Sequence, residues 1–327
     1  MNRTIVILAA AGVLAGVASS ASATYLMVTN FSSNNRSVML FNKSNGSLVS
    51  QNWIVGDGGA NIFNSQTEAL SIGSDVWISD QVQNKVFRYN LSTGTYKAAI
   101  TGSGSTNLSN IRGMERVGNT VYVANAGTGF GNSIVRFDAN TGAFLGSTSI
   151  SQFVPGTDHS PWDIKYVNNE LLVSVYAASG TNGTSRIDRY DLSGNYLGNL
   201  YNQPNTVTTG IRGPQQINTD GSNLLIASFS GTTQTGIYQT TSAISTLNFY
   251  AGGLGPRAGY RLDNGKIMIT KGDGVFILDP VTNTLSSIPG IVGSVNAKYI
   301  SEIEFIPAPG ALALFGLGGM LAARRRR

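Results

Sequence analysis

A short alternating pattern recurs along the middle of the chain. It reads Val38-Met-Leu-Phe-Asn42, Val86-Phe-Arg-Tyr-Asn90, Ile134-Val-Arg-Phe-Asp138, Ile187-Asp-Arg-Tyr-Asp191, Ile237-Tyr-Gln-Thr-Thr241 and Val275-Phe-Ile-Leu-Asp279. The copies start 48, 48, 53, 50 and 38 residues apart. A period of two predicts strands. Most copies run into a turn containing Gly: Ser44-Asn45-Gly46, Ser92-Thr93-Gly94, Asn140-Thr141-Gly142 and Ser193-Gly194-Asn195. These residues supply the positive φ that a tight hairpin needs. A further strand follows, as at Ala143–Gly146 and Tyr196–Gly198. A hairpin precedes each copy, as in Met114–Val117 into Val121–Ala124, Ile164–Val167 into Leu171–Ser174, and Ile217 into Leu224–Ala227. No part of the body sustains a helical period.

Four short strands in each ~40–50 residues are the signature of a β-propeller blade. The fold class predicted is therefore all-β, a six-bladed β-propeller over residues 24–306. A seven-bladed ring, with region 245–255 as a degenerate blade, is the alternative. The first blade lacks an inner strand, because Tyr25–Val28 reads as a second strand. Tyr299–Phe305 has the inner-strand pattern with no strand after it. Pairing these two ends would close the ring and remove an exposed sheet edge.

The segments Asn84-Lys85-Val86-Phe-Arg-Tyr, Asn132–Asp138 with Thr141-Gly142, and Arg186–Asp191 with Gly194 resemble the NHL and gluconolactonase-like propellers. That resemblance spans most of 25–306. It implies ligands near the central channel and, in the gluconolactonase-like enzymes, a divalent cation held by acidic and amide side chains. Propellers of this kind include enzymes, sugar binders and protein-interaction modules, so the fold sets no function.

The two ends read as addresses. Residues 1–23 have the form of a signal peptide: Arg3, an apolar run from Ile5 to Val17, and a small-x-small cleavage site at Ala21 and Ala23. Residues 307–327 begin with Pro307, Ala308, Pro309 and Gly310. A run of apolar and small residues follows, and Arg324, Arg325, Arg326 and Arg327 end the chain. The positive-inside rule would put those arginines in the cytoplasm and the body outside. This tail resembles the PEP-CTERM sorting signal, with Ala308 in place of the central Glu. The resemblance implies a membrane-sorting helix, transient anchoring and an exosortase-type processing enzyme as partner.

Charge then changes the picture by its location. Setting aside Arg3 and the four terminal arginines, 17 of the 22 Lys and Arg remain, against 17 Asp and Glu. A neutral body does not make the basic surface that neutralises phosphates, so no nucleic-acid partner is expected. The chain has no Cys and one His. Thiol catalysis, disulfides and Cys-zinc sites are excluded.

Candidate chemistry falls on the inner strands. Glu68, Asp163, Gln216 and Glu302 occupy matching positions there, and Arg112, Arg212 and Arg257 precede three of the strands. Strand alternation would turn these groups toward the axis together. They predict either a ligand site at the channel mouth or a ring of Arg–carboxylate pairs. Glu68, Asp163 and Glu302 are the candidate ligands of one divalent cation; otherwise no cofactor is expected. His159 is the candidate catalytic base, with Asp158 or Asp163 to orient it. Trp162 is a packing or sugar-stacking residue. The leading expectation is a non-enzymatic binding or scaffold module for extracellular polysaccharide or protein, at the cell surface or in the matrix. A hydrolase or lyase at the channel mouth is the rival.

Overall fold

The structure, a computed structural model, describes residues 24–56, 62–101, 108–127, 132–149, 159–177, 184–204, 209–230, 235–250 and 255–304. The predicted signal segment and sorting tail lie outside the described residues. The described residues form six four-stranded antiparallel sheets and no helix. Blade 1 joins the two ends of the body. Its strands, from inside outward, are β24 (Ala297–Glu304), β1 (Thr24–Asn30), β2 (Ser37–Asn42) and β3 (Leu48–Val55). Blade 2 holds β4 (Gln66–Ile72), β5 (Asp75–Asp80), β6 (Lys85–Asn90) and β7 (Tyr96–Thr101), and blade 3 holds β8 (Ile111–Val117), β9 (Thr120–Asn125), β10 (Ser133–Asp138) and β11 (Phe144–Ser149). Blade 4 contains β12 (His159–Val167), β13 (Glu170–Ala177), β14 (Thr184–Tyr190) and β15 (Tyr196–Pro204). Blade 5 contains β16 (Pro214–Asp220), β17 (Asn223–Ser228), β18 (Gly236–Thr241) and β19 (Asn248–Tyr250). Blade 6 is formed by β20 (Ala258–Arg261), β21 (Ile267–Lys271), β22 (Gly274–Asp279) and β23 (Thr284–Ser287).

The six-bladed count and its closure are thus as predicted. Leu26 pairs with Glu302 and Tyr25 with Ile303 across β1 and β24. The stretch proposed as a degenerate seventh blade instead contributes β19, the outer strand of blade 5.

Each interface between neighbouring blades is a separate apolar layer. Between blades 1 and 2, Met27, Ile54 and Ile303 meet Ala69, Ile78 and Phe87. Between blades 6 and 1, Met268 and Val275 meet Leu26, Met39 and Phe41. The middle strands face a blade on each side. They are therefore buried on both faces and read as near-continuous apolar runs, such as Val76-Trp-Ile78. Outer strands face solvent on one side, and β15 alternates between half-buried and exposed positions. Burying one large side chain such as Phe87 or Phe137 contributes about 2–3 kcal/mol.

The recurrent turn has a defined mechanism. Asp138 ends β10, and its Oδ1 accepts hydrogen bonds from the backbone N–H groups of Asn140 and Thr141. Gly142 then takes a φ of 77°. Asn90, followed by Gly94, repeats the arrangement. The short acceptor side chain and the glycine together fold the hairpin, which is why the motif marks the end of a third strand. The Arg of the third-strand pattern is structural too. Arg88 pairs with Asp75 at 2.7 Å and donates to the carbonyl oxygens of Asn140 and Thr141 in the next blade's turn.

Candidate functional site

Inner strands leave one backbone edge facing the axis, with N–H and C=O groups that no further strand satisfies. Polar side chains reach forward here to the next blade, most of them to its backbone groups. Glu68 of blade 2 accepts the Met114 N–H of blade 3. Arg112 of blade 3 donates to the Pro161 carbonyl and to Ser160 of blade 4. Asp163 of blade 4 accepts the Ile217 N–H of blade 5 at 2.8 Å, and Asn218 of blade 5 donates to the Gly259 carbonyl of blade 6 at 2.9 Å. Arg257, just before β20 of blade 6, donates to Asn296 and to the Ala297 carbonyl of blade 1. Lys298 of blade 1 donates to Ser65, Thr67 and Gln81 of blade 2. The staples form a closed circle across all six interfaces.

A β-bulge aims several of these side chains. Register shifts lie between Gln66 and Ala69, Ile111 and Met114, Pro161 and Asp163, and Pro214 and Ile217. Across β1 and β24 a shift lies between Val28 and Asn30, opposite Ile300 and Ala297. Glu68, Arg112, Trp162, Gln216 and Lys298 all fall within these intervals. A bulge inserts an unpaired residue and redirects it, as commonly occurs beside functional sites.

The staples separate by charge along the axis. At the upper face, where the inner strands begin, are Arg112, Arg257 and Lys298. Arg112 stacks its guanidinium 3.6 Å from the centre of the Trp162 ring. Arg257 lies over Phe31 and Phe229, and the Lys298 ammonium is 4.4 Å from the centre of the Phe31 ring. Stacking of this kind contributes about 0.5–2 kcal/mol for each cation. None of the three cations has a carboxylate partner among the described residues. Burial pushes Arg112 down to about 10, and burial together with Arg257 and Arg112 pushes Lys298 down to about 7.

Tyr299 spans the axis beneath this mouth, its hydroxyl donating to the Trp162 carbonyl of the opposite blade at 3.2 Å. A cavity of about 210 Å³ is lined by Glu68, Glu115, Asp163, Lys165, Gln216 and Glu302, among others. Burial raises the Glu68 carboxyl to about 7, against its hydrogen bonds from Met114 and Ser301. Burial, and then the Glu68 charge, push Asp163 well above the usual carboxylate range. Lys165 pairs with Glu115 at 3.2 Å. Gln216 bonds both backbone groups of Ile300, so it bridges blades 5 and 1.

Several sequence-based expectations need correction. Arg112 and Arg257 do share the upper face, but they staple backbone and stack on aromatics, and neither pairs with a carboxylate among the described residues. Arg212 is half-buried, with its backbone N–H on Ser228. Glu302 lies further along its strand than Glu68 and Asp163 and is turned to Lys43 at 2.6 Å and to Tyr260. No group of three His, Asp or Glu converges among the described residues. Glu68, Asp163 and Glu302 therefore do not come together as a trio. His159 begins β12, paired with Ala177, rather than lying in a loop; its side chain is outside the described residues, as is Asp158. Lys298 was missed. The register of Glu302 with Glu68 hid it, although it is the only Lys within an inner-strand start.

The buried acids and the buried amine titrate in opposite directions. Folding raises Glu68 from 4.5 to about 7, so between those pH values the folded state holds a proton that the unfolded state has released. Stability from this group is fully present below pH 4.5 and is lost as pH rises to about 7. Folding lowers Lys298 from 10.5 to about 7, so between 7 and 10.5 the unfolded state binds more protons and stability rises with pH. These two groups place a stability minimum near pH 7. The melting temperature is expected to fall from pH 5 to pH 7, and Glu68→Gln is expected to flatten that limb. A melting temperature that rises steadily from pH 5 to 7 would contradict this assignment.

No protein-family model matches the sequence, and no curated protein matches it. Solved structures share its fold. A chain of a nidogen/laminin complex aligns over 85% of this chain and 98% of its own, with a TM-score of 0.58 and 12% identity. A Bacteroides fragilis protein described as a candidate 6-phosphogluconolactonase aligns over 87% and 99%, with a TM-score of 0.57 and 14% identity. The extracellular domain of a candidate hybrid two-component system from B. thetaiotaomicron aligns over 82% of this chain and 33% of its own, with a TM-score of 0.51 and 12% identity. At these identities the likeness establishes the β-propeller fold and nothing finer.

Proposed function

We propose that the chain is an exported, surface- or matrix-associated β-propeller that binds polysaccharide or protein at its upper face and catalyses no reaction. One observation carries this reading. Glu68 and Asp163, the acids best placed for channel chemistry, hold backbone N–H groups of the next blade, whereas the upper face carries cations laid on aromatic rings. A solved likeness in a protein–protein complex and another from an extracellular domain agree with it. Delivery would use the signal segment 1–23 and the tail 307–327, with an exosortase-type enzyme processing the tail at the membrane.

The rival is a lactonase-like hydrolase or lyase. Its support is the cavity beneath Tyr299, where burial raises both Glu68 and Asp163 above the usual carboxylate range. A glycan array and a sugar-lactone hydrolysis assay on the same preparation separate the two. The expected result is retention on glycans with no turnover. Turnover abolished by Glu68→Gln, with the melting transition retained, would replace the binding reading by the enzymatic one.

A further inference from the structure

A second cavity opens on the upper face where blades 1, 2 and 6 meet, with a volume of about 500 Å³. Its walls include Phe31, Ser33, Arg36, Asn64, Ser65 and Asn296, and no carboxylate is among the described residues lining it. Hydroxyls and amides beside one aromatic ring are the groups that hydrogen-bond a sugar and pack against it.

Positive charge stands in and directly behind this wall. Arg36 lines it and donates Nη1 to the Phe63 carbonyl, while its Nε is buried with no acceptor. Lys298 donates to Ser65 Oγ at 2.9 Å, and Arg257 donates to Asn296 Oδ1 at 2.5 Å. Each cation therefore takes up the acceptor of a wall residue. The Ser65 hydroxyl and the Asn296 amide are left to act as donors toward the cavity. Asp80, whose charge acts on Lys298, is fully buried and accepts the backbone N–H groups of Asn64, Ser65, Val82 and Gln83. A wall of donors backed by Arg257 and, below about pH 7, by the protonated Lys298, and edged by Arg36, selects an oxyanion.

We propose that this cavity binds an acidic unit of a polysaccharide, the carboxylate or sulfate group facing Arg36, Ser65 and Asn296 and the sugar ring resting beside Phe31. The inference rests on the reading of the propeller as a binding module and adds the class of ligand and its place.

The test is calorimetric titration of the full-length chain. The probes are a uronic-acid oligosaccharide, its carboxyl-reduced neutral counterpart, a sulfated oligosaccharide, sodium sulfate and polyglutamate. One or both acidic sugars are expected to bind at least tenfold tighter than the reduced one, and which of them does identifies the oxyanion. Affinity should fall with added salt. Arg36→Gln should lower it about tenfold with the melting temperature unchanged; Ser65→Ala serves as a second variant if Arg36→Gln folds poorly. Equal binding of acidic and reduced sugars would overturn the inference. So would sulfate alone binding as tightly as the oligosaccharide, an adventitious ion only, or polyglutamate binding more tightly than either sugar. Neutral glycans that bind regardless of Arg36→Gln would leave the binding module standing and remove only the acidic ligand. Failure of every glycan would remove both.

Discussion

Truncation after Asn296 is expected to abolish cooperative folding of the whole propeller. The eight residues of β24 carry Ala297, Tyr299, Ile300 and Ile303, all essentially inaccessible to solvent. Losing the large apolar ones removes about 1.5–3 kcal/mol each, against a net stability of about 5–15 kcal/mol for a typical protein. The same cut exposes the edge of β1, removes the Lys298 staple from blade 1 to blade 2, and leaves Gln216 without its Ile300 partner. Truncation after Ile306, which removes only the proposed sorting tail, is the control and should melt like the full chain. Urea titration followed by near-ultraviolet circular dichroism reads both. A sharp, unshifted transition in the shorter chain would mean that closure through β24 does not hold the ring.

The second large effect is expected at Gly113. A Cβ built there would lie 2.7 Å from Asp163 Cα and 2.9 Å from the Trp162 carbonyl, and closer still to the Asp163 carboxylate. Two of these neighbours are backbone atoms of the next blade's bulge, so no rotamer change relieves the contact. Gly113→Ala should cost about 3 kcal/mol or more, beyond ordinary overpacking. It should also disturb the Asp163 bond to Ile217. Gly118→Ala is the comparison. Gly118 has a φ of 58° and open space where its Cβ would go, so the cost there is backbone strain alone, about 1 kcal/mol. If the two variants unfold at the same urea concentration, the close approach of blades 3 and 4 is not as tight as the structure has it.

Much of the architecture was legible because each blade repeats the same local chemistry. The third strands, with their Asx acceptor and following glycine, announce themselves at Asp138 and Asn90. The split blade was legible because Tyr299–Phe305 has a strand pattern and no partner downstream. The site was less legible, for a physical reason. Simple alternation sends every second residue to one face, but a bulge near the start of an inner strand resets the alternation within it. Glu302 therefore does not share the setting of Glu68, and Lys298, inside the bulged interval of β24, takes the place beside Arg112 and Arg257. Arg112 and Arg257 both stand at the end where their inner strands begin. That they would bind backbone carbonyls and aromatic faces depends on neighbours more than about 25 residues away, which no local pattern records.

The circle of forward staples bears on how the chain is made. A chain that emerges amino end first can assemble blades 2 to 6 in order, each polar side chain on an inner strand waiting for the next blade to arrive. Blade 1 cannot follow that order. Three of its strands emerge at the outset, with the β1 edge bare, and its inner strand emerges last, some 270 residues later. Until then the Arg257 and Lys298 links have no place to close. Pairing so remote in sequence is slow, because the loop must close before its contacts repay the lost entropy. The ring thus has a latch at its very end, and the chain stays threadable until nearly all of it has been delivered.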